Sequence, residues 1–372
     1  MLSHEGPKAE SAGNCRNTGI ALAALIACLV GGGRCPPAPA ADAPGSESAE
    51  RAAALYGKPE VMKFKDGKLG AFSMQFDDSI DSQATVAIPL LNARGLAGTF
   101  FVNPGAPYFW KNRKTWETCP KFGHELADHT MHHTNAKDLK EADYEMGECA
   151  RVLRQLCPNQ TGLMPFVKGG GTVWRISDEQ MQQLMDKHLL YRSPRTGAFS
   201  DEKSRGEDLI AFARRAIEQR AWAQLVFHGV GGGWIRTSKE AFVTLLDYLV
   251  ANRDKLWIAN TSDPYRYQQE YEAIDRVSLA DPTEAGFQVA IECDETKVNT
   301  RGRPFTELYN QPLTVRVGVP DSWSRFCVVQ GDAVQSGATV EAEGRRYAQF
   351  DIRPNVGPAA ISRSLWNEEM PQ

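Results

Sequence analysis

The chain has 372 residues, a formal net charge of −4, 42% hydrophobic and 24% charged residues. At about 150 residues per domain this is room for roughly two folded domains, and neither a charge excess nor a glycine period points to a disordered or collagen-like chain. Lys+Arg 42 against Asp+Glu 46 offers no polycation for a phosphate backbone, which argues against nucleic acid as a partner; an enzyme acting on a neutral or polysaccharide substrate stays open.

The longest apolar run, Gly19–Val30, follows Lys8 and Arg16. It is too short for the roughly 20 residues that span a bilayer, and it suits the apolar region of a signal peptide. Ala38-Pro39-Ala40 before Ala41 supplies a small–x–small cleavage pattern. Residues 1–40 therefore read as a signal peptide and 41–60, rich in Ala, Pro, Ser and Glu, as a linker. The expectation is an exported protein, periplasmic or extracellular, with no transmembrane span in the mature chain. Leu25-Ile26-Ala27-Cys28 also reads as a lipobox, which leaves a lipid anchor at Cys28 open. Beyond the leader stand Cys119, Cys149, Cys157, Cys293 and Cys327, none in a CxxC pair, so a cysteine-based zinc site is not expected. Export permits disulfides, with Cys293–Cys327 and one pair among Cys119, Cys149 and Cys157 as candidates.

From about Val61 strands and helices alternate. Gly70–Phe76 reads as a strand, Gln83–Ala93 as an amphipathic helix, Ala97–Val102 as a buried strand and Lys137–Leu156 as a long helix. Ser177-Asp178-Glu179-Gln180 and Thr237-Ser238-Lys239-Glu240 have the spacing of capping boxes. Ala223–Phe227 and Leu256–Ala259 are short strands, and Asp263-Pro264 reads as the cap and first residue of a helix through about Ala273. This alternation implies parallel β/α units over 61–274. After Ile274 the helical signals stop. Gln288–Glu292, Leu313–Val317, Phe326–Val329, Ala338–Glu341 and Tyr347–Ile352 read as strands of a small β-sandwich over 275–372.

Four of the seven histidines lie between His124 and His133. An HExxH zinc-peptidase motif fails, because Asp128 and not a histidine stands four residues after His124. His129 and His133 have i, i+4 spacing, which on a helical turn brings two imidazoles to one side. Two imidazoles and a carboxylate hold a divalent metal and leave positions open. Asp77-Asp78 at the end of an apolar strand repel one another unless a cation or proton sits between them. In a β/α barrel that strand end is the catalytic face. His228 also follows an apolar strand and precedes Gly229-Val230-Gly231-Gly232-Gly233.

Together these segments resemble the polysaccharide deacetylase family, the NodB homology domain or carbohydrate esterase family 4. Gln75-Phe76-Asp77-Asp78 is similar to its first motif, T-F-D-D, and Gly98-Thr99-Phe100-Phe101-Val102 to its A-T-F-F-V strand. Gly123–His133 is similar to the G-H-E and H-[S/T]-x-x-H motif, with Asp128 in place of Asn, and Val226-Phe227-His228 to the L-x-H motif. The resemblance covers about 61–265. It implies a distorted (β/α) barrel of the NodB type, here with a C-terminal β-sandwich. It also implies Asp78, His129 and His133 as ligands of a divalent metal, most simply Zn²⁺, Asp77 as general base and His228 as general acid. The third motif, R-x-P-[Y/F], stands as Leu163-Met164-Pro165-Phe166 without its arginine, for which Lys168, Arg192 or Arg195 are candidate substitutes. The Phe166 backbone N–H is the candidate oxyanion donor beside Pro165. The fourth motif has no clear counterpart, Trp222 and Asp263 being candidates. Trp234 is placed at the border of a sugar groove, and Trp323 and Trp366 are weighed as sugar platforms against burial.

The function so implied is removal of acetyl groups from an N-acetylated polysaccharide of the peptidoglycan, chitin or poly-N-acetylglucosamine type. The alternatives are an O-acetyl esterase on an acylated glycan and a catalytically weak carbohydrate-binding relative.

Overall fold

A computed structural model describes residues 54–158, 160, 162–195 and 199–364. The leader, Cys28, Ala41 and Trp366 lie outside the described residues. Among those described, no helix is long and apolar enough to cross a membrane.

The first half is a curled parallel sheet wrapped by helices. Its strands are β2 (Gly70–Asp77), β3 (Thr99–Val102), β4 (Glu125–Asp128), β5 (Met164–Phe166), β6 (Leu190–Arg192), β7 (Trp222–Phe227) and β8 (Leu256–Ile258); β1 (Glu60–Val61) precedes them and belongs elsewhere. The order is β6-β5-β4-β3-β2-β7, and β8 pairs with Gly70–Phe72 of β2 on the edge that β3 takes at Gln75–Asp77. All these pairings are parallel, so every strand ends at the same rim. This is the distorted (β/α) barrel.

Period-two geometry sorts β2. Phe72, Met74 and Phe76 join the apolar layer beneath the helices, where Phe76 stacks on Phe100 (4.6 Å) and Phe227 (5.2 Å). The alternate residues turn inward and bond to side chains: Ser73 accepts from the Trp222 indole N–H, and the Gln75 amide N–H groups donate to Ser193 and Thr261 hydroxyls. The barrel interior is thus a hydrogen-bonded polar filling that fixes strand positions, as buried polar groups demand.

The long helix forms as Leu139–Leu156, with Asp138 as cap accepting the Glu141 N–H. Ser177 and Gln180 close a capping box as expected. Two capping expectations are corrected. Ser238, not Thr237, caps Lys239–Ala251, because the Thr237 hydroxyl is committed to Ser200. Thr261 precedes Ser262–Ala273, so Asp263 and Pro264 already lie inside its first turn. The segment expected as one amphipathic helix winds first as a π-helix, Gln83–Ala87, then as an α-helix, Ile88–Asn92.

The C-terminal β-sandwich has two antiparallel sheets. One has the order β1-β11-β15-β14 and the other β13-β12-β16-β10-β9, with β9 (Ile274–Thr283), β10 (Gly286–Cys293), β11 (Leu313–Gly318), β12 (Arg325–Gln330), β13 (Ala333–Ala338), β14 (Val340–Ala342), β15 (Arg345–Ile352) and β16 (Ala359–Arg363). The strand expected over Ala338–Glu341 is broken at Thr339 between β13 and β14. Barrel and sandwich share apolar packing: Leu163, Tyr191 and Tyr267 belong to the same buried cluster as Phe287, Val315 and Trp323. β1 pairs with β11, and Tyr56, in the stretch read as linker, is buried against Phe287 and Trp323. Trp323 is fully buried and offers no platform for sugar. The five described cysteines are free thiols, which corrects the expected disulfides; burial raises the pKa of Cys119, Cys149, Cys157 and Cys293.

Candidate active site

The common rim of the strands collects the chemistry. Asp77 ends β2 and Asp78 follows it; His129 follows β4, Val167 follows β5, Arg195 lies three residues past β6, and His228 follows β7. These residues line one cavity of about 420 Å³, together with His133, Lys168, Gly170, Phe199, Trp234 and Ile235.

Asp78 Oδ1 lies 3.1 Å from His129 Nε2 and 3.4 Å from His133 Nε2. One ligand atom from each of the three lies within 4.8 Å of the others. His129 Nδ1 sits 2.9 Å from the Val167 carbonyl, so it donates there and leaves Nε2 as the nitrogen turned to Asp78. Asp78 Oδ2 is buried without a hydrogen-bond partner. A desolvated carboxylate beside two imidazole nitrogens is a donor set that fits a divalent cation.

The backbone is strained where it supplies these groups. Asp78 (φ 77°), Ser79 (φ 55°), Thr130 (φ 69°) and His133 (φ 56°) all occupy the left-handed region, which costs of order 1–3 kcal/mol per residue. Surrounding bonds hold them. Asn103 donates its side-chain amide to the carbonyls of His129 and Thr130, and its backbone N–H to Ser79 Oγ. Asp128 accepts the Thr130 N–H, and Thr130 Oγ1 accepts that of His133. The Gln83 amide, at the start of the π-helix, donates to the carbonyls of Asp77 and His228 and so ties β2 to β7. His129 and His133 therefore come together through a left-handed loop, not through the helical turn expected from their spacing.

Burial alone would raise the Asp77 carboxyl. The Arg195 charge and two hydrogen bonds from it, aided by His129 and His228, outweigh burial and hold Asp77 below its ordinary value. For His129, burial pushes down, but the charges of Asp77 and Asp78 draw it up. Burial lifts Asp128, which replaces the Asn of the resembled motif, to about 7. Near neutrality its side chain is therefore about half protonated, part-way to the neutral amide it replaces.

Of the three candidates for the missing arginine, the structure selects Arg195. Its Nη1 donates to Asp77 Oδ2 at 2.7 Å and its Nη2 to Oδ1 at 2.8 Å. Arg192 is exposed on β6, and Lys168 donates to the Thr172 carbonyl. Neither candidate for the fourth motif reaches His228. Trp222 starts β7 opposite Ala71, at the far end of the sheet, and Asp263 faces Arg266 and Lys65. Instead His228 is flanked by Trp234 (ring centroids 5.1 Å) and Phe199 (6.0 Å), the latter carrying no motif or spacing that would single it out. Gly229 makes this possible: a Cβ there would sit 2.1 Å from the Gly232 carbonyl oxygen, so only glycine closes the turn that returns Trp234 to His228. Pro165 and Phe166 lie within β5, where the ladders to β4 and β6 commit the backbone and the Phe166 ring packs on Trp174. The cavity wall at this strand is Val167, Lys168 and Gly170.

Residues 65–198 match the family model for polysaccharide deacetylase. This segment is a polysaccharide deacetylase domain. It carries Asp77, Asp78, His129, His133 and Arg195; His228 follows it on β7. The chain is also similar to a gellan lyase from a Bacillus species, at 23% identity over 342 residues, and spans 13% of that relative's length while the match covers 82% of this chain. Among solved structures, the peptidoglycan deacetylase PdaC from Bacillus subtilis is 17% identical over 55% of this chain and 94% of its own, with a TM-score of 0.42. A family 4 carbohydrate esterase from Streptomyces lividans in complex with acetate is 14% identical over 53% and 95%, with a TM-score of 0.41. A family 4 pseudoenzyme from Bacillus anthracis is 13% identical over 51% and 63%, with a TM-score of 0.40. In this chain both carboxylates and all three histidines stand at one rim, with His228 supplied from beyond the matched segment.

Proposed function

We propose that this protein is a metal-dependent hydrolase that removes acetyl groups from an N-acetylated polysaccharide. The observation that carries this reading is the convergence of Asp77, Asp78, His129, His133 and His228 on one cavity. Asp78, His129 and His133 would hold the divalent cation, most simply Zn²⁺. A bound cation supplies Lewis acidity, polarising the acetyl carbonyl and acidifying a water from pKa 15.7 toward about 7. Asp77, kept ionised by Arg195, takes the proton of the attacking water. The water oxygen adds to the acetyl carbon, the carbon–nitrogen bond breaks with its electron pair moving to nitrogen, and His228 gives that nitrogen a proton. Acetate and a free amine result. Phe199 and Trp234 beside His228 present apolar faces to a sugar ring and shield the proton transfer from bulk water. Export of the protein, supported by the leader pattern in the sequence, would bring this site to extracytoplasmic glycans.

Acetate release from N-acetylated and O-acetylated glycans, with and without chelator and with metal restored, tests the reading. Release from amides that chelation abolishes and Zn²⁺ restores is the expected result. Release from esters alone would make the protein an esterase, and none from any glycan would make it a binding relative.

A further inference from the structure

Charge pairing within the active-site cavity singles out Lys168. Asp77 is neutralised by Arg195, and Asp78 faces His129 and His133. The Lys168 ammonium shares this lining, yet its one hydrogen bond runs to the Thr172 carbonyl at 2.9 Å, and no carboxylate among the described residues pairs with it. An ammonium has three donors and no acceptor, so two N–H groups remain available at the edge of the site. The loop that carries it is fixed against the metal-binding residues. A Cβ on Gly169 would sit 2.8–2.9 Å from ring atoms of His133, so glycine alone lets the loop lie on that ring. A Cβ on Gly170 or Gly171 would meet nothing within 4 Å, so the outer side of the loop is open space. A fixed cation with free donors, beside open space and in the same cavity lining as exposed Phe199 and Trp234, has the chemistry to recognise an anionic group on a sugar.

We propose that Lys168 binds a sugar carboxylate, and that the substrate class is an acetylated acidic glycan. The inference rests on the hydrolase reading for its substrate, but not for its test. Uronic acids and the lactyl ether of muramic acid offer the same carboxylate chemistry. The probes are oligosaccharides containing glucuronic acid and oligosaccharides containing N-acetylmuramic acid, each paired with its carboxyl-reduced counterpart. Affinity is read on the full chain by calorimetry and by Trp fluorescence, neither of which needs turnover. The wild-type protein is expected to prefer the carboxylated member by about tenfold at low salt, the scale of a charge-assisted hydrogen bond. That preference shrinks as salt rises. Lys168→Met, which keeps the apolar stem, brings the ratio close to one, and Lys168→Arg retains most of it. Preference in one arm or in both supports the proposal and names the source of the carboxylate. Equal affinity for reduced and carboxylated probes in the wild type, or a preference that survives in K168M, overturns it. Failure to release acetate from every glycan would overturn the hydrolase reading alone, because the affinity ratio still decides the lysine.

Discussion

Arg195 grips Asp77 with both terminal guanidinium nitrogens across 118 residues of sequence. Its planar fork matches a carboxylate in a way an ammonium cannot, and its face lies 5.2 Å from the Phe101 ring centroid and 5.8 Å from that of Phe199. Leu163 stands where the resembled motif has its arginine, one residue before β5. β6 pairs with β5 in parallel, so a residue just past β6 reaches the same rim from the next strand over. The guanidinium is supplied from a neighbouring strand end, and the carboxylate that needs it is unchanged.

Arg195→Lys and Arg195→Gln test whether this grip positions the base. Loss of the fork is expected to lower kcat by roughly 10- to 100-fold, the scale of a misaligned reacting group, with metal content at the wild-type level and KM little changed. Lysine should recover part of the loss and glutamine none. Steady-state kinetics with parallel metal analysis checks this; a fall in bound metal that tracks the fall in kcat would assign Arg195 to the metal site instead.

His129→Ala and His133→Ala are each expected to strip metal and activity together, whereas Asp77→Asn abolishes turnover and keeps metal. The distinction follows from geometry: Asp78 faces both imidazoles, while Asp77 is turned to Arg195. Metal stoichiometry by elemental analysis decides it. Full metal in both histidine variants would sink the ligand assignment.

What could be read in advance follows from where the information sits. Asp77 and His228 each end or follow an apolar run, His129 and His133 stand out by their spacing in a histidine cluster, and a parallel sheet brings all strand ends to one rim, so local pattern sufficed to gather them. The route from His129 to His133 was not legible, because i, i+4 spacing fits both a helix and the left-handed loop formed here. Thr130 at φ 69° is held there by Asp128 and Asn103, contacts that spacing does not encode. Asn103 and Gln83 could have been found only by asking what satisfies the carbonyls of the strained strand ends. Phe199 left no signal at all, since its role depends on the adjacency of its segment to β7.

Truncation after Asp275 is expected to yield insoluble protein. Leu163, Tyr191 and Tyr267 would lose the apolar cover given by the sandwich, and the Tyr267 hydroxyl would lose the Thr314 N–H it accepts. Exposing a contiguous apolar face of this kind favours aggregation. Soluble yield and light scattering measure the outcome; a monomeric fragment with a cooperative melt would show that the barrel closes its own core.

Glu270 gives the protein a titration that stability should report. It lies on the helix Ser262–Ala273, where Oε1 accepts the Gln311 N–H at 2.8 Å and Oε2 is buried without a partner. Burial, only partly opposed by that hydrogen bond and by Arg266, lifts its carboxyl to about 8 from an ordinary 4.5. The folded state therefore keeps the proton after the unfolded chain has released it. The stability linked to Glu270 is fully present below about pH 4.5 and is lost as pH rises toward about 8. Glu270→Gln, neutral throughout, should melt with the wild type near pH 4.5 and above it by a widening margin up to about pH 8, reaching on the order of ten degrees at roughly 2 °C per kcal/mol. Calorimetric melting of both proteins across that range checks the sign. A margin that narrows with rising pH would mean that the carboxylate is ionised in the folded state, with Arg266 holding it.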